Sequence, residues 1–360
     1  MGLHVNEFEK MFAKHFGSRF CVMVNSGSSA NLLMIASLFY VRGDNQKLKP
    51  GDEVIVPAVS WSTTYYPLHQ YGLKLKFVDI DPDTLNIDIN AVRQAIGPRT
   101  KAILAVNLLG NPCDLTDLKD LATNHSVVLL EDNCESMGAK VNGKMTGTYG
   151  LMGTFSTFFS HHISTMEGGL IVTDNEELYH ILLSLRSHGW TRNLPNKNFV
   201  TGQKNTNPFE ESFKFVLPGY NVRPLELEAA IGIEQLKKLP DLIDMRRKNA
   251  KLWRKLMNNH EHLRIQKETG KSSWFGFSVV IRENSPLNRV TLIDKLEEAG
   301  FECRPIVAGN FTKNSVVKFF NYEIFGTLNH ANRIDTHGLF IGNHHYPIEE
   351  ALHDIAMIKF

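Results

Sequence analysis

Four places in the 360-residue sequence combine residue types that could do chemistry. The first is Gly153–Gly169, where an aromatic, hydroxyl-bearing run (Phe155, Ser156, Phe158, Phe159) leads into Ser160-His161-His162 and then Glu167-Gly168-Gly169. A β-like run, Leu170–Thr173, follows, so polar groups stand at the end of a buried strand. A neutral imidazole near pH 7 can take up a proton there; the ordinary alternative is a core histidine satisfied by hydrogen bonds. No metal is expected, because adjacent residues on a strand point to opposite faces and no further His or Cys sits at ligand spacing. His162 reads as structural.

The second place is Asn25-Ser26-Gly27-Ser28-Ser29-Ala30, a small hydroxyl-rich turn between the strand-like Phe20–Val24 and the apolar run Asn31–Tyr40. Free amides at a helix N-terminus, together with the dipole, make a phosphate seat, although the same residues would serve as a plain serine cap. The third is Trp61, beyond Pro57-Ala58-Val59-Ser60, a flat ring that could stack on a planar ligand or simply belong to the core. The fourth is Asp132, which ends the apolar run Val127–Leu130 and precedes Asn133-Cys134-Glu135. A carboxylate at a buried strand end needs a cationic partner.

The elements that must position these groups follow from hydrophobic patterning. Strands are expected at 20–24, 53–57, 75–80, 101–107, 126–131, 153–159 and 170–173, several of them continuous apolar runs of the kind covered by helices on both faces. Helical patterns at 6–15, 88–96, 114–124 and 176–186 alternate with them, which points to an α/β fold with a largely parallel sheet and ligands outside its carboxyl ends. Residues 190–214, rich in Asn, Lys, Gly and Pro, read as a long loop, and Pro218–Pro224 as a turn. Helices are expected at 225–239 and 242–258, the second carrying Arg246, Arg247, Lys248 and Lys251 as a solvated face. From about Arg264 a new pattern begins, with strand 274–281, helix 291–299 and strand 302–306. This gives a large domain over 1–235 and a smaller C-terminal one over 236–360.

Composition narrows the function. Lys plus Arg is 39 against 38 for Asp plus Glu, so nothing steers the chain to nucleic acid or to an anionic membrane surface. No apolar run approaches a membrane span and no signal-like N-terminus is present, so the expected location is the cytoplasm. Four scattered cysteines (Cys21, Cys113, Cys134, Cys303) give no C-x-x-C, hence no zinc knuckle or iron-sulfur cluster.

Taken together, S-G-S-S-A-N, P-A-V-S-W-S-T-T, L-L-E-D-N-C-E-S-M-G-A, F-S-T-F-F-S-H-H-I-S-T-M-E-G-G and P-G-Y-N-V-R-P resemble the sugar-nucleotide aminotransferase family of fold-type I pyridoxal phosphate (PLP) enzymes, in order and over nearly the whole chain. Members usually carry a further segment ahead of the part that corresponds to Met1-Gly2. The resemblance implies an aspartate aminotransferase-like fold with a mostly parallel seven-stranded sheet and a smaller C-terminal α/β domain. It implies that Gly27, Ser28 and Ser156 hold the cofactor phosphate, with Ser160 also at the cofactor; that Trp61 stacks on the pyridine ring; that Asp132 pairs with the ring nitrogen; and that Glu135 lies near the ring hydroxyl. Asn221 would reach the phosphate of a neighbouring subunit, which implies a homodimer with shared active sites.

One departure decides the chemistry. The family's aminotransferases have a lysine where this chain has His161, and histidine cannot form a Schiff base. PLP or its amine form, pyridoxamine phosphate (PMP), would be held noncovalently, with His161 removing a proton from the cofactor C4′ carbon. That substitution, with R-S-H-G-W-T-R-N-L-P and F-V-L-P-G-Y-N-V-R-P-L-E, resembles the 3-dehydratases that make 3,6-dideoxysugars, of the kind without an iron-sulfur cluster. The resemblance implies L-glutamate and a GDP-linked 4-keto-6-deoxy sugar as substrates, with His188, Arg192, Phe213 and Arg304 as candidates for contacts to them. A 4-amino-sugar-forming aminotransferase with a displaced lysine, and a cofactor-binding regulator without catalysis, remain alternatives.

Overall fold

Runs such as Val54-Ile55-Val56 and Ala102-Ile103-Leu104-Ala105 carry no polar residue to face water, so they are stable only between two layers. The computed structural model, which describes residues 1–43 and 46–358, places them in the middle of one large sheet. Its first five strands in chain order are β1 (Phe20–Val24), β2 (Glu53–Pro57), β3 (Lys74–Val78), β4 (Thr100–Val106) and β5 (Val128–Asp132). Across the sheet the order is β1, Gly169–Thr173, Met152–Ser156, β5, β4, β2, β3 and Tyr322–Ile324. Gly169–Thr173 pairs antiparallel with both neighbours and the remaining pairs are parallel, so the carboxyl ends of the other described strands share one edge.

The seven expected strands are present, with an eighth, Tyr322–Ile324, added by the C-terminal part of the chain. It docks parallel to β3 through Glu323, which ion-pairs with Lys74 and Lys76. Helix α1 (Leu3–Phe16) ends on Gly17 in the left-handed region (φ 74°) and lays Phe12 and Phe16 against Phe155, with ring centroids 5.1 and 4.7 Å apart.

Three expectations are corrected. The two helices read at 225–239 and 242–258 are one 32-residue helix, Glu226–Met257, with Pro240 inside it. An interior proline costs roughly 3 kcal/mol, but buried Leu236, Leu239, Ile243, Ala250 and Trp253 anchor the helix on both sides of it. Its basic run is a solvated face only in part: Lys248 and Lys251 are exposed, Arg247 is half-buried and Arg246 is 4% exposed. The strand expected at 153–159 stops at Ser156, and the histidine pair lies in the turn beyond it.

Residues 190–214 are less irregular than read, holding a small ribbon (Lys197–Asn198 with Gly202–Gln203) and the short helix Pro208–Ser212. A separate four-stranded antiparallel sheet, ordered Leu263–Ile265, Gly276–Ile281, Gly338–Gly342, Cys303–Arg304, forms the C-terminal layer and sets Phe275 and Arg304 over the strand ends. No helix among the described residues is long and apolar enough to cross a membrane.

Candidate active site

A cavity of about 640 Å³ opens where five strands end. The chain leaving β1 supplies Gly27 and Ser28, that leaving β2 Trp61, β4 Leu108 and Leu109, β5 Asp132 and Glu135, and Met152–Ser156 supplies Ser156, Ser160 and His161.

Ser26 caps helix α2 (Gly27–Ser37), its hydroxyl accepting from the Ser29 amide at 3.1 Å. The Gly27 and Ser28 amides are left without an acceptor among the described residues, two donors at the positive end of a helix. Gly27 cannot be larger: a Cβ there would sit 2.7 Å from Ser156 Cβ and 3.1 Å from both Ser156 Oγ and Cys134 Sγ. Gly27→Ala is therefore expected to push Ser156 out of the seat and weaken cofactor retention by about tenfold or more, since charged hydrogen bonds contribute roughly 1.5–3 kcal/mol. Equilibrium dialysis against PLP measures this, with circular dichroism showing the fold intact.

Asp132 is 5% exposed and held by three donors. Asn31 Nδ2 (2.7 Å) and Thr64 Oγ1 (2.8 Å) donate to its Oδ2, and the Cys134 amide (3.2 Å) to its Oδ1. Thr154 Oγ1 donates to Asn31 Oδ1 at 2.6 Å, which fixes which way the Asn31 amide points. Among the described residues no cationic side chain ion-pairs with Asp132. The missing counter-charge leaves a place for a cationic group in the cavity.

Glu135 accepts from the Leu109 amide at 2.9 Å through Oε2. Burial, reinforced by the charge of Asp132 and opposed by that amide, pushes its carboxyl up to about 7. Trp61 stands at the N-terminus of helix α3 (Ser62–Gln70), 59% exposed, at the cavity rim.

His161 is half-buried, with its ring centroid 5.2 Å from that of Phe275 and 6.0 Å from that of Phe158. Burial, helped by the nearby Arg246 guanidinium, lowers its pKa to about 4, so the imidazole is neutral at physiological pH. Its Nδ1 is buried without a hydrogen-bond partner. His162 turns away, buried with Nε2 at 3.3 Å from the Ser273 carbonyl oxygen. Both rings pack on Phe275, with centroids 5.2 and 5.7 Å from it, so the opposite faces expected of strand neighbours do not apply in this turn.

Gly27, Ser28, Trp61, Asp132, Glu135, Ser156, Ser160, His161 and Arg304 thus line one cavity. Arg304 is held by Glu302 at 2.7 Å. The other four candidates do not line it. His188, in the left-handed region (φ 59°), packs on Trp190; Arg192 lies over the Trp190 and Phe213 rings at 4.1 and 5.4 Å; Phe213 is 69% exposed. Asn221 is exposed and accepts from Arg223 Nε at 3.0 Å. Sequence reasoning missed Asn31, Thr64 and Phe275. Asn31 closes the S-G-S-S-A-N motif one helical turn after Gly27 and was within reach; the other two have no local signal.

The donor set fits a planar, phosphate-bearing ring with a protonated nitrogen: free amides and a glycine-lined seat at one end, an uncompensated carboxylate at the other, and an indole beside them. PLP has these groups, so its fit rests on the orphaned donors and the buried charge themselves.

The comparisons with known proteins agree. GDP-4-keto-6-deoxy-D-mannose 3-dehydratase from Yersinia pseudotuberculosis is 62% identical over 99% of this chain and 91% of its own length. A solved GDP-4-keto-6-deoxymannose-3-dehydratase with a trapped PLP-glutamate geminal diamine superimposes with a TM-score of 0.97 at 58% identity, over 99% of this chain and 92% of that one. A mutant of that kind of enzyme with bound GDP-perosamine matches equally, with a TM-score of 0.97 at 58% identity over the same 99% and 92%. The model of the DegT/DnrJ/EryC1/StrS aminotransferase family matches residues 1–357, and the chain belongs to that family.

Proposed function

We propose that this chain is a PLP/PMP-dependent 3-dehydratase that removes the C3 hydroxyl of GDP-4-keto-6-deoxy-D-mannose with L-glutamate as amino donor, giving GDP-4-keto-3,6-dideoxy-D-mannose, ammonia and 2-oxoglutarate. The observation that carries the reading is His161, a neutral imidazole at the mouth of a cavity that otherwise has the donor set for PLP, in place of the family's lysine. The 62% identity to a 3-dehydratase and the glutamate- and GDP-sugar-bearing structures of such enzymes support it.

When bound, the cofactor supplies an amino group that can condense with a C4 ketone and a ring that can take up an electron pair. The chain does the rest. Gly27, Ser28 and Ser156 bind the phosphate, Trp61 covers the ring, and Asp132 keeps the ring nitrogen protonated. Glu135, with a carboxyl near 7, stands where it can share a proton with the ring hydroxyl. His161 takes the proton from C4′ and, lacking a primary amine, cannot displace the substrate, so the cofactor stays noncovalently held; the four scattered cysteines, without C-x-x-C spacing, leave an iron-sulfur cluster out of this reading.

Residues 1–235 supply every cofactor contact in this reading and act as the cofactor-binding domain, over which 236–360 closes as the smaller one. Asn221, exposed and away from its own chain's cavity, completes the phosphate seat of a second copy in a homodimer.

Incubation with PLP, L-glutamate and GDP-4-keto-6-deoxy-D-mannose is expected to release 2-oxoglutarate and ammonia with loss of the C3 hydroxyl. A 4-amino sugar product would establish an aminotransferase instead, and no release of either product a non-catalytic protein.

A further inference from the structure

Beside the cofactor cavity lies a second chamber of about 630 Å³ that shares His161, Phe275 and Arg304 with it. Arg246, from the middle of the long helix Glu226–Met257, lines this chamber at 4% exposure. Its Nη1 donates to the carbonyl oxygens of Phe275 (3.0 Å) and Asn343 (2.7 Å). Its Nε is buried without an acceptor, and its Nη2 makes no hydrogen bond among the described residues. Those two unused donors share one edge of the planar guanidinium, the fork that matches the two oxygens of a carboxylate.

No carboxylate among the described residues pairs with Arg246. The contrast is Arg186, equally buried at 1% exposure, which ion-pairs with Glu9 at 2.5 Å. A desolvated, unpaired guanidinium is costly unless an anion completes it. The one acid lining the chamber, Glu302, is exposed and already held by Arg304 at 2.7 Å. Arg304, the other guanidinium lining the chamber, is exposed and held by Glu302, and much of the wall, including Phe340, Ile348 and Leu352, is apolar, so a single carboxylate has one deeply buried cationic partner here.

We propose that the Nε/Nη2 edge of Arg246 is a carboxylate-binding subsite that takes the side-chain carboxylate of a dicarboxylic amino donor whose reacting end lies beside His161. The proposal rests on the reading of L-glutamate as donor given above. It makes Arg246 the group that selects an acidic donor: a neutral side chain of the same length would leave the guanidinium as unpaired as before.

The test uses the cofactor-loaded chain and two variants, Arg246→Gln and Arg246→Lys. In the unaltered protein, succinate is expected to bind by calorimetry and to compete with L-glutamate, and L-glutamine is expected to replace L-glutamate poorly. Arg246→Gln should weaken succinate binding and raise the KM for L-glutamate by about tenfold or more, the size of a charged hydrogen-bonded contact, with the KM for the GDP sugar little changed. Arg246→Lys, which keeps the charge and loses the fork, should fall between. Equal use of L-glutamine and L-glutamate by the unaltered protein overturns the proposal without any variant. So does displacement of bound GDP, rather than of succinate, by inorganic phosphate together with a KM change confined to the sugar. Succinate binding and conversion of L-glutamate to 2-oxoglutarate are read without the sugar, so a protein that passes here yet fails to dehydrate would refute the dehydratase reading and leave the subsite standing.

Discussion

His161→Asn is expected to lower dehydration by about 10²- to 10⁴-fold, the usual contribution of a positioned general base, while the cofactor remains bound. Asparagine keeps a polar group of similar reach at the cavity mouth but cannot take up a proton. The neighbouring acids do not replace it: Asp132 is engaged by three donors, and Glu135 lies against the Leu109 amide.

His161→Lys should lose dehydration as well, and gain a linkage to PLP that borohydride traps; retained dehydration in that variant would sink the assigned role. The pH dependence carries a second check. Because burial and Arg246 lower the imidazole pKa to about 4, the basic form is complete at neutral pH and is lost only as pH falls through about 4. The acid limb of kcat/KM due to His161 therefore belongs well below the 6–7 range of an ordinary histidine. Any limb near 7 is assigned to Glu135 and should vanish in Glu135→Gln.

The sheet was legible because its strands are buried on both faces, and a continuous apolar run such as Val54-Ile55-Val56 has few other stable places. Tyr322–Ile324 was not, because a three-residue edge strand is too short for its alternation to mark it, and only pairing with β3 and the Glu323 contacts to Lys74 and Lys76 hold it there. Pro240 misled for a related reason. A local rule predicts a break there, and packing from residues on both sides of the proline outweighs it.

In the site, the groups that leave strand ends could be read from position alone: Gly27, Trp61, Asp132 and Ser156 each follow or end an apolar run. What holds them could not. Asn31 and Thr64 meet Asp132 across 101 and 68 residues of chain, and such contacts exist only once the sheet is assembled. Arg246 was the opposite error. A basic run of four residues in a helix predicts solvation, yet the C-terminal sheet closes over one of them and leaves it without an ion pair among the described residues and beside the His161 imidazole.

Asp132→Asn is expected to separate folding from function, because the two depend on its charge with opposite sign. In the cofactor-free chain the carboxylate is buried with three donors and no cation, so replacing it with a neutral amide of the same shape leaves the melting temperature unchanged or raises it. In the proposed reading the same charge would pair with the ring nitrogen of the bound cofactor, and removing one partner of a buried pair costs about 3–5 kcal/mol. With its oxygen in the Oδ2 position the Asn side chain still accepts from Asn31 and Thr64 and gives up only the long Cys134 amide contact, but its NH₂ then faces the ring side, where a protonated nitrogen needs an acceptor. Cofactor affinity should fall by about 10²-fold or more on that figure, and turnover further, since an unprotonated ring nitrogen draws electrons poorly when His161 takes the C4′ proton. The measurement is a pair of melts, with and without PLP. The unaltered chain gains stability with the logarithm of ligand concentration over Kd, and the variant loses most of that gain while keeping its cofactor-free melt. A variant that melts early without cofactor and still gains normally with it would show that Asp132 holds the sheet edge together instead.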